Sequence, residues 1–248
     1  MRKALFPASA LLAILPSCAH NESVELPAPA TARTEVLIFS KTAGFRHGSI
    51  PTGVICLTEL AEELKLTAVS SEDSADFTDE NLKRFASVVF LSTTMDVLDD
   101  RAQGCFERYI QGGGGYLGIH AAADTEYDWP WYTGLAGAQF SSHPQIQEAV
   151  VVRTDEVFAA TSFLPERWQR TDEWYNFKAI SPEVTNLLML DETSYEGGEN
   201  GDTHPAAWYH KYDGGRAFYT AGGHTKASYA EPLFRKHVQA GLAWTAGR

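Results

Sequence analysis

Basic side chains are scarce: 20 Lys and Arg stand against 32 Asp and Glu, for a formal net charge of −12. Nucleic-acid partners need a cationic patch for the phosphates, so that class is excluded and a neutral or lightly charged ligand is favoured. Long apolar runs are missing too. The run from Ala4 to Leu15 is too short to span a bilayer, which takes about 20 residues. Paired metal motifs are also absent, since no H-x-x-x-H or H-x-H occurs among the eight histidines. Spacing alone therefore gives no ligand signature. Cysteine is limited to Cys18, Cys56 and Cys105.

What is present begins with an export pattern. Arg2 and Lys3 precede the apolar run, which ends in Leu15-Pro16-Ser17-Cys18. A charged start and a short apolar segment read as a cleaved leader over 1–17. The last four residues resemble a bacterial lipobox, in which a small residue precedes the cysteine that becomes lipidated. Residues 18–34 are rich in Ala, Pro, Glu and Thr without apolar period, the composition of a tether. The expected location is the bacterial cell envelope, lipid-anchored at the outer membrane or the periplasmic face. Cys56 and Cys105 fall at apolar positions of expected helices and read as two buried thiols, with a disulfide left open by an oxidising envelope.

From residue 35 the chain alternates strand and helix signals. Val36–Phe39 is a short apolar run, and Val54, Leu57, Ala61 and Leu64 follow at helical spacing. Strands are expected at Leu66–Val69, Val88–Leu91 and Tyr116–Ile119, with a helix over Asp99–Gln111 whose Ala102, Cys105, Phe106, Tyr109 and Ile110 share one face. Ala206–Tyr212 and Arg216–Ala221 flank Asp213-Gly214-Gly215 as a hairpin. A closing helix carries Phe234, Val238 and Leu242. This order predicts an α/β domain over 35–248 with a mostly parallel sheet covered on both faces. Ligands of such sheets bind beyond the strand carboxyl ends, here the loops Thr42–Pro51, Ser92–Asp99 and His120–Pro144.

Polar and aromatic residues crowd those loops. The segments are Lys41-Thr42-Ala43-Gly44-Phe45-Arg46-His47, Gly114 to Tyr132, His143-Pro144, Asp172 to Phe177, His204 to Trp208, and Gly222-Gly223-His224-Thr225. Together, and in this order, they resemble the ThuA-like (trehalose-utilisation) family from about Glu35 onward. The resemblance implies a flavodoxin-like three-layer fold of the class I glutamine amidotransferase-like superfamily and a link to sugar catabolism. In the amidotransferases a strand leads into a tight elbow bearing a nucleophilic cysteine; here His120 stands at that place. Cys56 and Cys105 lie in expected helices and cannot replace it, so amidotransferase activity is not expected. His224 falls where those enzymes keep a triad histidine.

Candidate catalytic residues are His120, Asp124, Glu173 and His224, because imidazoles and carboxylates can move protons without a covalent step. Trp174 and Tyr175 beside Glu173 are expected to desolvate it and raise its pKa. His47, Glu126, Trp129, Trp131, Tyr132, His143 and Trp174 are candidate substrate contacts, since flat rings pack on sugar C–H faces while polar groups take hydroxyls. His204 is a further histidine of unassigned role, and His210 reads as a hairpin residue. A divalent metal such as zinc is compatible with several imidazoles near carboxylates. The expected function is an envelope protein processing a sugar, a glycoside or a keto-sugar derivative; the rival is a non-catalytic carbohydrate-binding surface lipoprotein. If Cys18 carries the anchor, Cys18→Ser should leave unprocessed precursor and take up no labelled fatty acid. Equal labelling of wild type and variant would remove the lipobox reading.

Overall fold

The computed structural model describes Met1 and residues 33–248, so the leader, Cys18 and nearly all of the tether lie outside the described residues. Each apolar run of the first half becomes a strand: β1 (Glu35–Phe39), β2 (Thr67–Ser71), β3 (Phe85–Leu91) and β4 (Gly115–Ile119). Between them run α1 (Ile50–Glu63), α2 (Asp79–Leu82) and α3 (Asp100–Gln111). Asp99 caps α3 by accepting from the Ala102 N–H at 2.8 Å, satisfying a donor that the first turn leaves free.

The second half adds α4 (Pro130–Ala136), β5 (Gln139–Ser142), β6 (Gln147–Arg153), β7 (Arg167–Asp172), β8 (Asn176–Lys178), β9 (Thr185–Asp191), β10 (Pro205–Tyr212), β11 (Gly215–Thr220) and α5 (Pro232–Thr245). One nine-stranded sheet has the order β2-β1-β3-β4-β11-β10-β9-β6-β7. Neighbours pair in parallel from β2 through β11 and antiparallel from there to β7. Strands β5 and β8 form a separate pair. The parallel core matches the expectation. The antiparallel extension through β9, β6 and β7 was not signalled by the sequence.

Both faces of the parallel half are covered. Val36 and Ile38 pack with Leu57, Leu60, Phe234 and Leu242 on the side of α1 and α5. Leu37 and Phe39 pack with Phe90, Phe106, Ile110 and Tyr132 on the other side. Alternation along one strand thus feeds two cores, as a covered sheet requires. Cys56 and Cys105 fall on opposite faces as free, buried thiols, which settles the open question of a disulfide against one.

Phe90 sits among aromatic neighbours, with the rings of Phe39, Phe106, Tyr116 and Tyr132 at centroid distances of 5.3–5.5 Å from its own. Phe90→Ala should lower the unfolding free energy by about 3–5 kcal/mol. Ile55→Ala, at a 61% exposed position of α1, should change it by less than about 0.5 kcal/mol. Denaturant titration monitored by circular dichroism checks both, and equal stabilities for the two variants would contradict the core assignment.

Candidate functional site

In the register Leu91↔Ile119 and Ile119↔Thr220, the ends of β3, β4 and β11 lie side by side. The site is assembled from the loops that leave β4 and β11, joined by the β1–α1 loop and the end of β7. His120 leaves β4 with φ +51°, a left-handed conformation that costs a non-glycine residue on the order of 1–3 kcal/mol and is kept where surroundings enforce it. The enforcing contacts are the Tyr219 hydroxyl donating to His120 O at 2.6 Å and the His120 Nδ1–H donating to Ala221 O at 2.9 Å. With Nδ1 donating to Ala221, Nε2 faces His224 Nδ1 at 3.2 Å and Glu173 Oε2 at 3.4 Å.

His224 arrives on the loop after β11. Gly223 has φ +118°, and a Cβ there would sit 2.8 Å from Tyr229 Oη and 2.9 Å from Ile119 Cγ2, so only glycine allows the turn. Glu173 arrives from β7, although β7 lies four strands beyond β11 in the sheet. The link is Asp172. It is fully buried and accepts from Gly223 N at 2.8 Å, His224 N at 3.1 Å, Ser228 Oγ at 2.8 Å and Arg170 Nη2 at 3.1 Å. Arg170 in turn lies over the rings of Trp168, Trp174 and Phe234 and pairs with Glu231. His47 comes from the β1–α1 loop. That loop is tied down by Ser49 Oγ donating to Gly223 O at 3.1 Å, and the His47 ring stands 4.8 and 5.0 Å from those of His120 and His224.

His47, His120, Glu173 and His224 therefore converge, each offering one ligand-type atom, with all such atoms within 4.8 Å of one another. Beside them opens a cleft of about 330 Å³ lined by Phe45, His47, Asp124, Phe140, His143, Glu173, Tyr175 and His224. Its electrostatics are uneven. Burial would raise the Glu173 carboxyl, but hydrogen bonds and charge from His120 and His224 outweigh it and hold the group well below the usual carboxylate range. The expected rise is thus reversed by two imidazoles that are distant in sequence and adjacent in space. The bond to Glu173 raises His224 despite its burial. His47 is held down to about 3, first by burial and then by His120 and His224. Asp124 is raised by burial, against the lowering effect of the Tyr127 hydroxyl that donates to it.

The other expected residues divide clearly. His143 lines the cleft, with Nδ1 at 3.1 Å from Glu173 Oε1. His120 is fully buried behind the cleft wall rather than on it. Glu126 is corrected to a structural role: its Oε1 accepts from the N–H groups of Val97 and Leu98 at 2.9 and 2.7 Å, and its Oε2 accepts from Gln103. Trp129, Trp131 and Tyr132 do not line the cleft either. They stack on one another at and within α4, where Trp129 donates to Glu107, Trp131 donates to Asp213, and Tyr132 is buried against Tyr116. Trp174 is buried, donating to Gln147 O at 3.0 Å.

The cleft's rings are instead Phe45, Phe140 and Tyr175. Sequence reasoning counted Tyr175 among the aromatics of the site loops and gave no role to Phe45 or Phe140, although Phe45 lies two positions before His47. His204 stands behind the cleft, bridging Tyr175 O at 2.8 Å and Glu192 Oε1 at 2.7 Å. His210 bonds to Gly134 O as a packing residue of the hairpin. Asp172 was also passed over, and only its adjacency to Glu173 pointed toward it.

Comparison with known proteins agrees with this architecture. A ThuA-like protein from Bacteroides uniformis superposes with a TM-score of 0.72 at 22% identity, covering 89% of this chain and 95% of that one. A ThuA-like protein from Parabacteroides merdae gives a TM-score of 0.72 at 18% identity, covering 86% and 90%. A β-galactosidase from Bacillus circulans sp. alkalophilus matches at a TM-score of 0.56 and 11% identity, with 87% of this chain laid over 31% of that enzyme. At these identities the structural matches speak for the fold. No curated protein matches the chain in sequence. The sequence model of the ThuA family, described as trehalose utilisation, matches residues 35–245, and the chain belongs to that family.

Proposed function

We propose that the protein is an envelope enzyme, tethered through Cys18, that binds one sugar ring of a glycoside or keto-sugar in the cleft and transfers a proton at it. The carrying observation is that Asp124, a carboxyl raised by burial, lines the same cleft as the Glu173–His224 pair. The two environments push their groups in opposite directions, which is how acid and base duties separate within one site. A volume of about 330 Å³ lies at the small end of ligand pockets and favours a single ring over a long chain. Phe45, Phe140 and Tyr175 supply the apolar surface for its C–H faces.

In this reading Asp124 exchanges the proton with the substrate. His224, carrying charge against Glu173, faces the oxygen on which negative charge develops. His120 is a positioning residue: its ring is fixed by Ala221 O and holds the orientation of His224 and Glu173. Membership in the trehalose-utilisation family supports a sugar as the substrate class, and the lack of a cysteine at the elbow supports chemistry without an acyl-enzyme.

A panel of glycosides and their keto derivatives tests the reading with wild type, Asp124→Asn and Phe45→Ala. Asp124→Asn should lower kcat by roughly 10²- to 10⁴-fold with KM little changed, while Phe45→Ala should raise KM. The wild-type rate profile should show a limb above the ordinary Asp value of about 3.9. As a general acid Asp124 works protonated, so rate falls as pH rises through that limb; as a base it rises. Asp124→Asn should remove the limb in either case. A wild type that binds a sugar tightly and converts none of the panel would make the protein a carbohydrate-binding lipoprotein instead.

A further inference from the structure

We propose that His47, His120, His224 and Glu173 form a binding site for one divalent d-block cation of the zinc class. Three features carry this. First, ligand-type atoms of residues distant in sequence converge on one another. His120 Nδ1 donates to Ala221 O, which leaves Nε2 aimed at Glu173 Oε2 at 3.4 Å and at His224 Nδ1 at 3.2 Å. Second, the separations within the trio, 2.9, 3.2 and 3.4 Å, match the spacing of about 3.3 Å between tetrahedral ligands with bonds of 2.0–2.1 Å. Third, His47 is 3% exposed and its Nδ1 is buried without any hydrogen-bond partner. That leaves a buried imidazole nitrogen free to ligate beside two imidazoles and a carboxylate.

The donor set selects the ion. Three imidazoles and one carboxylate suit zinc, cobalt, nickel or ferrous iron, whereas calcium and magnesium require oxygen-rich shells. The outer contacts are those that support metal ligands: a backbone carbonyl on the far nitrogen of His120, and the His143 ring on the second oxygen of Glu173. His47, Glu173 and His224 all line the cleft, so the ion is reached from it. Binding of the ion stands on these residues alone. Its role, taking over from His224 the charge that faces a sugar oxygen while Asp124 moves the proton, rests on the function proposed above.

The test uses the purified full chain, stripped with chelator and dialysed separately against zinc, cobalt and magnesium. One equivalent of zinc or cobalt should be retained and no magnesium, by elemental analysis. The cobalt form should show visible absorption of an imidazole-ligated ion, and the unfolding temperature should climb with zinc concentration. His47→Ala and His224→Ala should each weaken retention by at least about 10–100-fold, the loss known even for outer-shell changes, while Asp124→Asn should retain the full equivalent. Failure to retain zinc or cobalt, or retention unchanged in the His47→Ala/His224→Ala double variant, overturns the site. Should those substitutions prevent folding, the wild-type cobalt spectrum decides, and the absence of imidazole-ligated bands overturns it. Turnover by stripped wild type would defeat the metal's catalytic role and leave the sugar chemistry standing. Retained zinc without any sugar turnover would do the reverse.

Discussion

The site depends on one buried carboxylate. Asp172 has no contact with solvent, and a charge in that position is tolerable only if its lone pairs are filled. They are filled by the loop that carries His224, by the hydroxyl of Ser228 and by the guanidinium of Arg170. Those same bonds fix the end of β7, so the residue after it, Glu173, has a defined place. Asp172 therefore joins the antiparallel half of the sheet, which brings the carboxylate, to the parallel half, which brings the histidines. Arg170 is held in turn by aromatic faces and by Glu231, which spreads the cost of burying charge over several partners.

On the parallel side the logic is that of strand ends. β4 delivers His120 at an elbow whose left-handed backbone is held by Tyr219 and Ala221. In place of a thiol aimed outward, the elbow aims an imidazole into a group of polar atoms and leaves it behind the cleft wall. The same backbone device thus serves a different end, which is why fold alone does not settle chemistry.

Much of this was legible in the sequence. β1, α1, β3, α3, β4 and the closing helix announce themselves by apolar runs or by a stripe at helical spacing, because both faces of a covered sheet must be apolar. The hairpin β10–β11 was marked by its glycine turn. β7 was not legible, because its inward positions are Trp168, Arg170 and Asp172, two of them charged, and hydropathy cannot tell a buried ion pair from a solvated one. His120, Glu173 and His224 could be named from their places after strands. Their convergence could not, since it depends on β7 and on the bonds by which Asp172 holds the loop of His224. The tryptophans of residues 129 and 131 misled for a related reason: α4 turns them against α3 and the hairpin, while Phe45 and Phe140, single rings in unpatterned stretches, reach the cleft.

The bond from Ser49 to Gly223 spans 174 positions of the chain. It ties the loop after the first strand to the loop after the last. Contacts of such separation form late, because the entropy of closing a long loop must be met before they give anything back. A chain that ends before residue 223 holds His47, His120 and Glu173 but lacks His224 and the carbonyl that Ser49 meets. Assembly of the four-residue group therefore waits on the loop after the last strand of the sheet.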